Sequence, residues 1–137
     1  MTASLRLLAP REDIWGFLAE PRHLADWWPG IAAVEPDRRG LAPGARWQLR
    51  RPPAVSLFRR RKGEDLLLVR SVDEPRAAEW HFTAGGLDVE LTLELETADR
   101  TRATLTVERG LLLGPVRELP RIALGRLHSL VQTAASL

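Results

Sequence analysis

The stretch APREDIWGFLAEPRHLADWWPG, residues 9–30, decides the fold of this chain. Pro10 and Pro21 suit the first position of a helix, because the backbone N–H that proline lacks would be unpaired there. Apolar residues then recur at the i, i+3, i+4 spacing of a short amphipathic helix, first as Ile14, Phe17 and Leu18 and then as Leu24, Trp27 and Trp28. The stretch therefore predicts two short helices, the second ended by Pro29 and Gly30.

Alternation of apolar and polar residues predicts strands on both sides of this stretch. We predict strands over residues 2–8, 31–35, 45–51, 66–73, 77–83, 87–97 and 102–108. The alternation is typical of an antiparallel sheet with one buried face and one wet face. A helical pattern over residues 114–137 predicts a long last helix, in which Pro120 should cause a kink or a restart. The expected fold is one α+β domain, residues 1–137, with a curved antiparallel sheet of six to seven strands.

Composition narrows the class of protein and the kinds of site. With 45% hydrophobic and 28% charged residues, the 137-residue chain reads as a soluble globular domain. No apolar run approaches the roughly 20 residues of a membrane span, and the first residues lack a signal-peptide core, so we expect a cytoplasmic protein. The absence of cysteine excludes disulfides and thiolate chemistry. The three histidines are isolated in sequence and suggest no catalytic dyad, and we expect neither a metal nor a cofactor.

Positive charge is concentrated in the middle of the chain. Residues 38–62 carry nine basic side chains and no acidic one, although the net charge of the whole chain is only +2. A solvated surface that protects sheet edges is the preferred interpretation, because 19 of the 20 basic residues in the chain are arginine. An interaction module for an acidic partner stays open. Nucleic-acid binding is not favoured, since aromatic residues are not interleaved with the basic ones.

The predicted order of elements implies an internal cavity. A strongly twisted sheet curls, and a single helix laid across its concave face is too narrow to fill the trough. The space would be lined mainly by Trp, Phe, Leu and Ala side chains. That lining is typical of a pocket for a small molecule.

The order of elements, the opening stretch, residues 43–47 and residues 69–76 give this chain a clear resemblance. It resembles the START-like (SRPBCC) helix-grip superfamily, and within it the polyketide cyclase/dehydrase and lipid-transport family. The resemblance implies that the last helix lies across the concave face of the sheet, with a ligand cavity between the two. It assigns Trp27 and Gly44 to the scaffold.

The implied cavity gives the candidate ligand-binding residues. They are Trp28, Trp47, Leu49, Trp80, Phe82, Leu91, Leu93 and Leu105, opposite Leu119, Ala123 and Leu127 of the last helix. For each of these, ordinary core packing is the alternative interpretation. Arg70, Arg109 and Arg126 are further candidates, because alternation or helical spacing places them beside the apolar positions. An arginine there would anchor a carboxylate or a phosphate, whereas the alternative is that only its stem covers apolar surface.

These observations favour the binding of a hydrophobic small molecule, such as a lipid or a polyketide. The alternative is a polyketide cyclase or dehydratase that acts in the same cavity, with a pocket arginine that stabilises an enolate. No residue is assigned a catalytic role. The sequence leaves open whether the chain forms a homodimer.

Overall fold

A computed structural model describes residues 1–52, 65–109 and 118–135. The first strand, β1, is followed by two helices and a 3₁₀ turn, then by six strands and a long helix. The elements are β1 (Thr2–Leu7), α1 (Arg11–Ala19), the 3₁₀ turn (Pro21–His23), α2 (Leu24–Trp27), β2 (Ala33–Glu35), β3 (Arg46–Arg50), β4 (Leu66–Asp73), β5 (Ala77–Phe82), β6 (Leu87–Thr97), β7 (Arg100–Arg109) and α3 (Leu119–Ala135).

The seven strands form one antiparallel sheet in the order β1-β7-β6-β5-β4-β3-β2. β1 and β2 lie at opposite edges, although they are neighbours among the strands in sequence. The segment with α1 and α2 therefore has to cross one face of the sheet to join them. That face is buried and carries the hydrophobic core, which is why alternate strand residues are apolar.

The predicted strands are confirmed, with ends shifted by one or two residues. The main departure lies in β4, where a β-bulge between Val69 and Ser71 shifts the register against β5. Leu67 and Val69 pair with the inward-facing Phe82 and Trp80. Because a bulge adds one residue to a strand, the alternation read from the sequence fails across it.

The last helix packs against β1, β7 and α2. It begins at Leu119, so Pro120 lies in its first turn, where the missing N–H costs no helical hydrogen bond. The predicted kink or restart at Pro120 stays a prediction, because it depends on residues before Glu118. The predicted helical residues 114–117 and the basic residues 59–62 lie outside the described residues.

Candidate ligand-binding site

Four aromatic rings meet on the concave side of the sheet. The Trp28 ring lies 4.9 Å from the Phe82 ring and 5.5 Å from the Trp27 ring, measured between centroids. Trp80 contacts both Trp27 and Trp28 edge to face at 6.2 Å. All four side chains are buried. The Trp-Trp pair that ends α2 thus packs directly onto β5.

A small apolar cavity lies beside this cluster, between the two short helices and strands β3 to β5. Its free volume, counted as the space open to the centre of a water-sized sphere, is about 20 Å³. Its lining consists of Leu18, Leu24, Trp27, Leu41, Trp47, Leu67, Ala78 and Trp80. None of these side chains is ionisable. The cavity has room for about one water but is far smaller than the pockets that hold drug-sized ligands.

Trp47 and Trp80 are the two lining tryptophans that lie on strands, and their indole N–H groups differ in hydrogen bonding. Nε1 of Trp47 donates a hydrogen bond to the carbonyl oxygen of Gly40 at 3.1 Å. Nε1 of Trp80 is buried and has no hydrogen-bond partner among the residues that the structure describes. An unpaired buried donor costs about 1–3 kcal/mol relative to one that is hydrogen-bonded. Trp80, one of the residues that line the cavity, therefore carries a costly donor.

The structure brings only part of the predicted site to this cavity. Of the predicted residues, Trp47 and Trp80 line it. The others on the concave side are buried in the core without lining it; they are Trp28, Leu49, Phe82, Leu91, Leu93, Leu105, Ala123 and Leu127, with Leu119 partly buried beside them. The reason is the position of α3, which covers β1 and β7 rather than β3 to β5. A role for these residues in ligand binding stays a prediction.

Sequence reasoning missed most of the lining. Trp27 was assigned to the scaffold, and Leu18, Leu24, Leu41, Leu67 and Ala78 were not selected. The helical spacing that places Leu24 with Trp27 was a usable signal, because residues at i and i+3 share a face. No sequence pattern marks Leu41, which lies in the loop between β2 and β3.

The prediction that Arg70 points into the cavity is wrong. Its side chain is 56% exposed and its Nη1 lies 3.0 Å from Oδ1 of Asp88 on the outer face of the sheet. The inward positions of β4 are Leu67 and Val69, and the bulge that follows Val69 leaves Arg70 outside. The alternation of Leu66, Leu68 and Arg70 was read in the wrong phase.

The other two predicted arginines also lie away from the cavity. Nε of Arg109, at the end of β7, approaches the carbonyl oxygen of Gly85 at 3.5 Å, so its side chain reaches over the turn between β5 and β6. Arg126 is exposed on α3 and lines an outer groove together with Asp26. The placement of Arg126 as a pocket cation is therefore wrong, because its long stem lets the charged group reach the surface. A role of Arg109 in ligand binding stays a prediction.

The outer face of the sheet carries a polar groove of about 280 Å³ with four carboxylates in its wall. Nδ1 of His81 lies 2.8 Å from Oδ1 of Asp88, the same oxygen that pairs with Arg70. Glu79 and Glu90 are directly opposite each other on β5 and β6. The hydrogen bond between these two carboxyl groups, helped by partial burial, raises the pKa of Glu90.

The described part of the basic segment is engaged within the fold. Arg51 forms a two-pronged ion pair with Asp65, with N···O distances of 2.8 and 3.3 Å. Arg50 lies 3.7 Å from Glu35, and Nη1 of Arg39 donates to the carbonyl oxygen of Gly44 at 2.7 Å. The acids that balance these arginines flank the segment in sequence. Whether the segment binds an acidic partner stays a prediction.

Two further findings bear on the kind of site. Within residues 1–52, 65–109 and 118–135, no group of three or more His, Asp or Glu side chains is placed to hold a metal ion. In the same ranges, no helix has the length and apolar character needed to cross a membrane.

Three solved structures illustrate the similarity of fold. XoxI from Bacillus cereus is 11% identical, with a TM-score of 0.71, over 98% of this chain and 96% of its own. The di-domain ARO/CYC StfQ of the steffimycin biosynthetic pathway is 15% identical (TM-score 0.68) over 98% of this chain, which spans 44% of StfQ. Ara h 8.0201 is 12% identical (TM-score 0.66), with 97% of each chain covered. The predicted START-like helix-grip fold is thereby confirmed.

Sequence comparison gives the family. No curated protein is similar enough in sequence to count as a match. The family model described as polyketide cyclase / dehydrase and lipid transport matches residues 1–133, which is nearly the whole chain. This chain belongs to the polyketide cyclase/dehydrase and lipid transport family.

Proposed function

We propose that this chain binds a hydrophobic small molecule, such as a lipid or a polyketide, in the cavity between α1, α2 and strands β3 to β5. The observation that carries the proposal is the lining of that cavity: eight apolar side chains, three of them indoles, with no ionisable group among them. Burial of apolar ligand surface, worth about 25 cal/mol per Å², would drive binding. The family and the biosynthetic origin of StfQ agree with such a ligand.

Binding requires the cavity to widen. A volume of about 20 Å³ holds about one water, whereas ligand pockets commonly enclose about 300–1,000 Å³. Leu41 is the lining residue that belongs to neither a helix nor a strand of the sheet. It is only partly buried, so its side chain can move with the least loss of packing. We therefore assign to Leu41 the part of a plug that an entering ligand displaces.

The loop around Leu41 is fixed by its own hydrogen bonds. Asp37 accepts from the backbone N–H groups of Arg46 at 2.9 Å and Arg39 at 3.0 Å, and these bonds lower the pKa of its carboxyl group. Gly40 accepts from Trp47. Because the backbone is tied at both sides of Leu41, movement of its side chain rather than of the whole loop is the expected route of widening.

The alternative function, a cyclase or dehydratase, needs an ionisable group beside the ligand. None of the three predicted arginines reaches the cavity, and its described lining supplies no general acid or base. Binding without turnover is therefore the function that we put forward.

The affinity for the neutral fluorescent dye N-phenyl-1-naphthylamine, measured by titration, tests this proposal. We expect the native protein to bind the dye, Leu41→Ala to bind it several-fold more tightly because the plug is shortened, and Trp80→Ala to bind it more weakly. Leu8→Ala is the matched control, since Leu8 is 46% exposed and lines no part of the cavity. An absence of dye binding by the native protein, or equal affinities for the native protein and all three variants, would contradict the proposal.

A further inference from the structure

An open groove lies on the outside of the molecule between α2 and α3. This α2–α3 groove has a free volume of about 450 Å³. Its wall includes Asp26 from α2 and, from α3, Ile122, Gly125, Arg126, Ser129 and Thr133. It shares no lining residue with the apolar cavity. Its role is therefore independent of ligand binding in that cavity.

The α3 wall of the groove has a protrusion beside a recess. Ile122 is 43% exposed. At Gly125, apart from its chain neighbours and the backbone of its own helix, nothing in the described part of the chain lies within 4 Å of the position that a Cβ would take. Residues at i and i+3 share a face of a helix, so the protrusion and the recess are adjacent. Because packed helices fit side chains of one into gaps of the other, a second α3 can place its Ile122 over Gly125.

The recess continues along α3 through Ser129 and Thr133, which follow Gly125 at intervals of four residues. The hydroxyl of Ser129 donates to the carbonyl oxygen of Gly125 at 3.2 Å, and the hydroxyl of Thr133 donates to the carbonyl oxygen of Ser129 at 2.9 Å. Both hydroxyl hydrogens are thus bonded within the helix. Another surface can cover this strip without leaving either hydrogen unpaired.

The groove carries one cation and one anion that are not paired with each other. The guanidinium of exposed Arg126 forms no ion pair with any residue in the ranges that the structure describes. The Asp26 side chain is 54% exposed, and its Oδ2 lies 3.0 Å from Nδ1 of His23. A carboxylate has two accepting oxygens, so Asp26 can also bind a second cation.

This pair of charges matches a second copy of the same surface. A two-fold axis brings the same patch of both copies together, so that the cation of each copy can face the anion of the other. A uniformly acidic partner would pair only with Arg126, and a uniformly basic one only with Asp26. The shape of the α3 wall agrees, because each copy supplies one protrusion and one recess.

We propose that two copies of this chain associate through the α2–α3 groove about a two-fold axis. Ile122 of each copy lies over Gly125 of the other, and Arg126 of each copy forms an ion pair with the partner's Asp26. The groove spans residues 122–133 of α3, about 18 Å of helix. A strip of that length covers less than the roughly 800 Å² per partner of a standard interface, so we expect a weak dimer that forms at high protein concentration.

Exchange of the two charges tests the proposal by sedimentation velocity. We expect a monomer–dimer equilibrium for the native protein over about a hundredfold range of concentration. Arg126→Asp and Asp26→Arg should each raise the dissociation constant of the dimer by at least about tenfold, because like charges then meet twice across the two-fold axis. An equimolar mixture of the two variants should regain the dimer, because each ion pair then again joins one arginine and one aspartate.

Gly125→Gln tests the shape of the groove without a change of charge. The longer side chain fills the recess and should abolish the dimer, while thermal stability should rise because glutamine favours a helix more than glycine does. Gly16→Gln is the matched control, since Gly16 is an exposed helical glycine with open space around it and lines no part of the groove. It should raise the thermal stability and keep the dimer.

Three results would overturn the proposal. The first is a native protein that stays monomeric at every concentration. The second is a dimer that persists in Arg126→Asp and in Gly125→Gln, because it would use another surface. The third is a mixture of the two folded charge variants that stays monomeric. Circular dichroism shows whether each variant is folded, and Gly125→Gln decides the case by itself if a charge variant does not fold.

Discussion

The two halves of the concave interior are packed in different ways. Where α3 covers β1 and β7, the core consists of aliphatic residues such as Leu105, Val107 and Leu127, with no exposed surface at all. Where α1 and α2 face β3 to β5, rigid indoles meet edge to face and leave a cavity. Protein interiors are packed at close to crystal density, so a cavity beside one group of side chains is a local departure from the rest of the core.

The hydrogen bonding of buried polar atoms also differs between the two halves. Thr101, on β7, is fully buried, and its hydroxyl donates to the carbonyl oxygen of Ala9 at 2.9 Å. Trp80, on β5, is nearly as buried, and within residues 1–52, 65–109 and 118–135 its Nε1 has no hydrogen-bond partner. One half is thus complete without a ligand, and the other has both free space and an unused donor.

The largest expected effect comes from truncating a leucine in each half. Leu105→Ala should lower the free energy of unfolding by about 4 kcal/mol, because the tightly packed α3 half cannot collapse around the new void. Leu67→Ala, also in a strand and also almost fully buried, should cost only about 2–3 kcal/mol, since Leu67 already borders a cavity and makes fewer contacts.

Urea unfolding of both variants measures the difference. The two leucines are well matched, because each lies in an interior strand with hydrogen-bonded neighbours on both sides. Equal losses of stability would show that the cavity side is packed as tightly as the α3 side, and the comparison between the halves would break.

Replacement of a buried alanine by valine in each half tests the same comparison by adding side-chain volume instead of removing it. Ala103 in β7 is fully buried, and Ala78 in β5 is 2% exposed and lines the cavity. Ala103→Val should destabilise the protein by about 2 kcal/mol through overpacking. Ala78→Val should change the stability by less than about 0.5 kcal/mol, because the added methyl groups enter free space. Both residues lie in strands, so the β-branched side chain suits the backbone equally at the two sites.

Thermal unfolding checks the stabilities, and the neutral dye checks the site. Ala78→Val should weaken dye binding while it leaves the fold intact, and Ala103→Val should leave the affinity of the folded protein unchanged. Dye affinity that is the same in native protein and Ala78→Val would place the site elsewhere on the chain.

The sequence predicted the order of strands and helices better than the arrangement of side chains in the interior. Period-2 alternation in β6 and β7 is strong enough to show which face each residue takes, and the family resemblance supplied the order of elements. The alternation pattern failed at Arg70, because a β-bulge is a local change in the backbone that such a pattern does not encode. The predicted cavity under the last helix stays a prediction, whereas the apolar cavity that the described residues form lies beside α1 and α2. The position of a helix over a sheet depends on side-chain packing across the whole layer, which no local pattern records.

The smallest expected effect separates the two buried polar atoms themselves. Thr101→Val keeps the shape of the side chain but leaves the carbonyl oxygen of Ala9 without its donor, so it should lower the free energy of unfolding by about 1 kcal/mol. Replacement of Trp80 by 3-benzothienylalanine keeps the two fused rings and exchanges the N–H for sulfur. Because that N–H has no partner in the described part of the chain, its removal should cost nothing and should gain up to about 1 kcal/mol of desolvation.

The comparison requires Thr101→Val to lower the free energy of unfolding and the Trp80 replacement to raise it. Urea unfolding at a single pH measures both changes, because neither alters a charge. A loss at Trp80 as large as the loss at Thr101 would mean that the indole donates to a partner within the free protein. The contrast in hydrogen bonding between the two halves would then disappear. A gain at Trp80 would instead show that the folded chain tolerates a buried N–H that has no acceptor.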